Sequence, residues 1–114
     1  MADAQLSLLR GTLDLLVLKA LSFGPSHGYA VSRWIKERTA GVLLVEEGSL
    51  YPALHRLERK GLIAPEWGIS ATGRRARFYR LTEDGARRLE LEVATWRRYT
   101  GAVECAVFGT EGAS

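Results

Sequence analysis

The 114-residue chain has one cysteine and two histidines, and both shortages remove a class of function. Cys105 stands alone, so no intramolecular disulfide can form, and a reducing cytoplasm suits this usage. His27, His55 and Cys105 are far apart in the chain, with no Cys/His set at metal-ligand spacing. A Ser-His-Asp set, a P-loop and a dinucleotide fingerprint are all missing, which argues against an enzyme and leaves no cofactor or metal to expect. The longest apolar stretch, "LLVLKALSF", is interrupted by Lys19 and far too short to span a bilayer, and "MADAQLSLLRG" has no basic leader followed by an apolar core. The expectation is a soluble cytoplasmic protein with no membrane partner. Internal repeats, low-complexity tracts and linkers are lacking too.

What remains has the composition of one globular domain with one modest core, 46% hydrophobic and 25% charged. A formal net charge of +3, with a pI of about 9.4, tilts only weakly towards polyanionic partners. The placement of the charges has to decide.

Thr12 before "LDLLVLKAL" is an N-cap signal, with Asp14 at the positive end of the dipole, and predicts a first helix over about residues 13–22. Its apolar residues cover most of the circumference, which marks a core helix. After the break "FGPSHG", Ser26 caps a second helix, about 27–38, and His27 helps to cap or pack it. "VLLV", residues 42–45, is a short strand or an extended connector. In "EEGSLYPALHRLERKGLI", Pro52 belongs in a first turn, so a third helix begins near Gly48 or Ser49; Leu50, Ala53, Leu54 and Leu57 form its apolar stripe and Gly61 stops it. "LIAPEW" and "ARFYRL" flank "GISATGRR" as the strands of a hairpin, with Pro65 restricting the first to an edge or bulge, and Trp67 and Phe78 reading as cross-strand partners. Thr82 then caps a long helix to about Phe108, in which Glu83 with Arg87 and Asp84 with Arg88 are four apart.

This order is a mainly α fold with a small β-hairpin wing: a winged helix-turn-helix over 1–81, a long C-terminal dimerisation helix over 82–108, and a flexible tail over 109–114. The two most basic surfaces are the outer face of the third helix and the hairpin turn, and both would face the same duplex. Arg74, Arg75 and Arg77 suit phosphates or a narrow minor groove, because a short turn needs Gly73 but no arginines. Ser49, Tyr51, His55 and Arg56 lie in the turns that a helix-turn-helix presents to base edges, with Arg59 and Lys60 nearer the backbone. Five residues of the third helix have a plainer alternative. Arg56, Arg59 and Lys60 are also what any solvated helix face carries, Glu58 dilutes their field, Tyr51 can cover the core edge, and His55 can be an ordinary surface residue.

Along the last helix Leu89, Val93, Trp96, Thr100, Val103 and Val107 alternate steps of four and three, close to a coiled-coil seam. A domain this small has little surface left to cover such a seam, and a second copy would supply it. The reading is a sequence-specific DNA-binding regulator, a homodimer on a roughly palindromic site. The alternative is a winged-helix protein-interaction module that binds no DNA, which Glu46, Glu47 and Glu58 beside the third helix favour.

"LLRGTLDLLVLKAL", "GPSHGYAVSRWI", "EEGSLYPALHRLERKGLI" and "RFYRLTEDG" together resemble the PadR-like winged-helix transcriptional regulators, from Leu8 to Gly85. The resemblance implies a homodimeric and usually repressing DNA-binding protein whose final helix forms much of the dimer interface. It implicates His27, Gly28 and Tyr29 at the start of the second helix, beside Ser49, Tyr51 and the wing arginines. It also implies a small aromatic or hydrophobic effector as a partner, since some members release DNA on binding phenolic acids or hydrophobic drugs near that interface. This chain carries Glu46-Glu47 where many relatives have Ser-Pro, and its C-terminal region is a single helix, shorter than in larger members.

Overall fold

The computed structural model describes Leu6–Ser7 and residues 11–109; the N-terminal stretch read for a leader and the tail beyond Gly109 lie otherwise outside the described residues. Its elements, in order, are β1 (Leu6–Ser7), α1 (Thr12–Leu21), β2 (Ser26–His27), α2 (Gly28–Arg38), β3 (Leu43–Leu44), α3 (Glu47–Arg59), β4 (Ile63–Ile69), β5 (Arg75–Leu81) and α4 (Glu83–Phe108). β1 and β3 pair in parallel, while β2, β5 and β4 form an antiparallel sheet in that order. This is a winged helix with a long terminal helix, as the element order predicts.

The core follows from the apolar patterns. Val17, Leu18 and Leu21 of α1, Val31 and Ile35 of α2, and Leu50, Leu54 and Leu57 of α3 are buried together with Leu62, Ile63, Tyr79 and Leu89. α1 touches α2, α3, α4 and β5, which is why its apolar residues surround it. On α3 the stripe of Leu50, Ala53, Leu54 and Leu57 is wholly buried, and Gly61, at φ 75°, ends the helix.

Several local expectations are corrected. Thr12 does not cap α1: it is the first helical residue, and Gly11 at φ 87° turns the chain into the helix. Ser26 does not cap α2, because Ser26 and His27 are held as a strand against Tyr79 and Phe78. The cap falls to His27, whose Nδ1 accepts a hydrogen bond from the Ala30 amide at 3.2 Å. α3 starts earlier than Gly48, since the Glu46 carbonyl already accepts from Ser49 at 2.9 Å and Leu50 at 3.1 Å. Pro52 therefore sits in the second turn, where the bond it cannot make would have gone to the Gly48 carbonyl; Gly48 and Pro52 are both exposed, so water can serve that oxygen. The strands run further into the hairpin than expected and leave a turn of about Ser70 to Arg74, which puts Arg75 and Arg77 on β5 instead of at the tip. Trp67 stands opposite Arg77, and Phe78 opposite Glu66, so the strand period of two sends Trp67 and Phe78 to opposite faces. Arg88 meets Glu92 at 3.8 Å, while Asp84 pairs with Arg87, one residue short of the expected Arg88.

The first turn of α4 is bound to the body by its own cap. Thr82 accepts from the Gly85 amide at 3.0 Å, donates through Oγ1 to the Gly61 carbonyl at 2.7 Å, and gives its amide to the Leu62 carbonyl at 3.1 Å. A Cβ on Gly85 would lie 2.0 Å from that Leu62 oxygen, so only glycine permits the approach. Leu89 then packs into the core and Val93 is half-buried, but residues 101–109 are exposed throughout. At 26 residues the helix is about 39 Å long. Its projection explains a radius of gyration of 16.4 Å, where a compact chain of this size would have about 13 Å.

Gly85→Ala is expected to destabilise the fold by about 3 kcal/mol, because the clash is with backbone and no rotamer relieves it. Urea unfolding should show a lower midpoint at unchanged slope.

Candidate nucleic-acid interface

The start of α2, the first half of α3 and β5 converge on one groove of about 770 Å³, lined by His27, Gly28, Tyr29, Tyr51, His55, Arg74, Arg75, Arg77 and Tyr79 among others. The fold thus brings together Tyr29, Tyr51, His55, Arg74, Arg75 and Arg77. Ser49, Arg59 and Lys60 are exposed but lie outside the groove lining, with Arg59 and Lys60 at the far end of α3.

Local packing explains how the groove is shaped. Gly28 opens α2 directly beneath the Tyr51 ring, where a Cβ would come within 3.2 Å of its Cε1 and hydroxyl. Tyr51 is therefore seated across the N-terminus of α2 by a missing side chain. It remains 47% exposed. His27 stacks on Tyr29 at 6.5 Å and meets the edge of Phe78 at 5.3 Å, and with Nδ1 used as the cap acceptor its ring proton belongs on Nε2. Tyr79 forms the buried floor; burial, before any charge effect, raises its phenol above the ordinary tyrosine range, so it is uncharged at neutral pH.

The cations fall into different electrostatic states. Arg56 is half-buried and donates to Asp14 of α1 at 2.6 Å. Arg77 donates to both oxygens of Glu58, at 3.1 and 3.2 Å, and so ties β5 to α3. Arg75 lies over the Trp67 ring, 4.5 Å from its centroid, with its charge uncompensated by any ion pair among the described residues. Arg74 is exposed, and its amide closes the turn onto the Ser70 hydroxyl at 3.3 Å. Ion pairs this open to solvent contribute roughly 0–1 kcal/mol, so they orient the arginines more than they stabilise the fold.

Neither carboxylate partner was evident from the sequence. Asp14 reads there as a helix-dipole residue and Glu58 as dilution of the field; their arginines are 42 and 19 positions away, on other elements. The stack of Trp67 under Arg75 has a weak signal, an aromatic and a cation flanking one hairpin turn.

On α4 the seam residues run from buried Leu89 through half-buried Val93 and Thr100 to exposed Trp96, Val103 and Val107. Thr100 is accommodated there because its hydroxyl donates to the Trp96 carbonyl at 2.9 Å and leaves its methyl for packing. A small cleft of about 270 Å³ lies between the start of α1 and α4, lined by Leu15, Glu92, Trp96 and Tyr99 among others. Among the described residues, no helix is long and apolar enough to cross a membrane, and no group of His, Cys, Asp or Glu is placed to hold a metal ion.

Comparison with known proteins agrees with this architecture. The model of the Transcriptional regulator PadR-like family matches residues 17–91. A transcriptional regulator from Clostridium thermocellum is 30% identical, with 86% of this chain and 95% of that one aligned at a TM-score of 0.78. A PadR family transcriptional regulator from Eggerthella lenta is 33% identical over 89% of this chain and 86% of its own, with a TM-score of 0.74. One from Clostridium difficile is 31% identical over 87% of this chain and all of its own, with a TM-score of 0.72. The chain belongs to the PadR-like family, and it is a DNA-binding transcriptional regulator, not an enzyme.

Proposed function

We propose that the protein acts as a homodimeric repressor that binds a roughly palindromic operator, with α3 in the major groove and the wing on the backbone or minor groove. The observation that carries this reading is the convergence of Tyr29, Tyr51, His55, Arg74, Arg75 and Arg77 on one groove, on a molecule whose α4 leaves an apolar seam uncovered. In this reading Ser49, Tyr51 and His55 approach base edges, while Tyr29, Arg59, Lys60 and Arg74 meet phosphates. Arg56 and Arg77 reach the duplex by exchanging Asp14 and Glu58 for a phosphate or for the acceptor edge of a guanine, and giving up ion pairs this open to water costs little.

Leu89, Val93, Trp96, Thr100, Val103 and Val107 form the dimer seam, and Trp96 anchors it. Two copies joined there would present paired α3 helices to successive turns of the same DNA face. A small aromatic or hydrophobic effector would bind at the cleft of Trp96 and Tyr99, where it releases DNA only if it prefers the DNA-incompetent dimer. Titration of a preformed DNA complex with such compounds should then produce Trp fluorescence changes and DNA release together.

Binding to a palindromic promoter fragment is expected to weaken steeply with salt. Replacing Arg74 and Arg75 by alanine should reduce the slope of log affinity against log salt by about 0.9 for each phosphate that is no longer neutralised. An unchanged slope counts against the wing assignment, and no retardation of any duplex at low salt would leave the interaction-module reading in its place. Gly28→Ala should cost about 1 kcal/mol of DNA affinity, roughly fivefold, with the thermal midpoint nearly unchanged, because it displaces only the tip of Tyr51. Val103→Glu buries a charge in the seam and should weaken dimerisation roughly a hundredfold, by about 3 kcal/mol, as read by sedimentation equilibrium.

A further inference from the structure

Trp67 is 62% exposed on β4, an edge strand of the sheet, and shares no aromatic pair with Phe78 or any other ring among the described residues. Core packing does not explain it. What lies on it is the guanidinium of Arg75, whose Cζ is nearer its aromatic partner, at 4.5 Å, than in the other cation–ring contacts of the described residues.

The register places this stack. Pro65, Trp67 and Ile69 stand opposite Tyr79, Arg77 and Arg75, so all six share one face of the hairpin. Tyr79 on that face is buried and Arg77 bonds Glu58 of α3, so the face is the one turned to the recognition helix. Arg75 lines the groove with Tyr51 and His55, whereas Trp67 does not.

Each wing cation is restrained differently. Arg77 is held by Glu58 and Arg80 by Glu66, which orients both but cancels their charge. Arg74 is exposed. Arg77 also lies over a ring, that of Tyr79 at 5.6 Å, but Arg75 alone among them is held by a neutral ring with no carboxylate partner among the described residues, which removes rotamer freedom before binding and leaves the positive field intact. An anion meeting Arg75 thus finds a charge already aimed and still unpaired, and loses less entropy in the encounter.

We infer that Trp67 is a positioning residue for DNA binding, acting through Arg75 by preorganising its guanidinium for a phosphate. This rests on the DNA-binding reading above, and it adds a residue that need not touch the nucleic acid. An aromatic residue at 67 is required and an apolar one does not suffice.

The test compares Trp67→Ala, Trp67→Leu and Trp67→Phe with wild type on a palindromic duplex by fluorescence anisotropy, with Arg75→Ala and the double variant closing a mutant cycle. Trp67→Ala and Trp67→Leu should each lose roughly three- to tenfold in affinity, Trp67→Phe should recover most of it, and neither loss should persist in the Arg75→Ala background. Rescue by leucine, or an equal loss without Arg75, would overturn the inference, the first by showing a packing role and the second a direct contact. Affinity unchanged in all the Trp67 variants, with wild type binding normally, also overturns it while the DNA-binding reading stands; absence of binding by wild type overturns both. A readout without DNA guards against misfolding: the Arg75 side-chain proton resonances should be shifted upfield by the indole in the free wild type and return in Trp67→Leu, and unshifted resonances would remove the stack itself.

Discussion

The carbonyls of Gly61 and Leu62, just past the end of α3, receive hydrogen bonds from the hydroxyl and amide of Thr82, and Gly85 lets the first turn of α4 rest against the second of them. Everything the protein presents to its surroundings is aimed from this junction. α3 ends there, β4 leaves from there, β5 returns to it, and α4 departs from it along a direction set by the absence of a single methyl group. The groove and the uncovered seam are both built outward from these few atoms.

The electrostatics of the candidate interface are more finely divided than a net charge of +3 suggests. Two of the arginines that read as a free basic surface are engaged by carboxylates from α1 and α3, and a third rests on an indole. Such contacts between partly exposed groups add little to stability. Their effect is on orientation: Arg77 ties wing to recognition helix, Arg56 ties recognition helix to core helix, and the wing keeps a live charge at Arg75. The same residues that a simple count treats alike therefore have different work available to them.

The type and order of the helices, of the short strand β3 and of the hairpin were legible in the sequence because they rest on periodicity, whereas the two-residue strands β1 and β2 are too short to leave one. The stripe of Leu50, Ala53, Leu54 and Leu57, the all-round apolar α1, the edge position of Pro65 and the cap at Thr82 all follow from spacing and backbone chemistry. Caps and turn limits were less legible, because several residues in a row could serve. Ser26 is as good a cap as His27 until the pairing of both with β5 shifts the helix start by a residue. The face of Trp67 hung on register, which a hairpin fixes only once its turn length is known. The ion pairs of Arg56 and Arg77 were not legible at all, since they join elements through the fold and no local pattern records them. Within the candidate site, Tyr29, Tyr51, His55 and the wing arginines do share a groove, while Ser49, Arg56, Arg59 and Lys60 lie outside it.

Pro65 has one more effect through its place on β4, the outer strand of the sheet. A residue with no amide hydrogen fits such a strand where its nitrogen looks away from the neighbour it is paired with, here Tyr79. The open rim of the wing is accordingly short of a donor at its midpoint, and a foreign strand trying to extend the sheet meets a gap in the ladder. On a hairpin that displays an indole and an isoleucine to water, that gap is an obstacle to edge-to-edge pairing with a second copy.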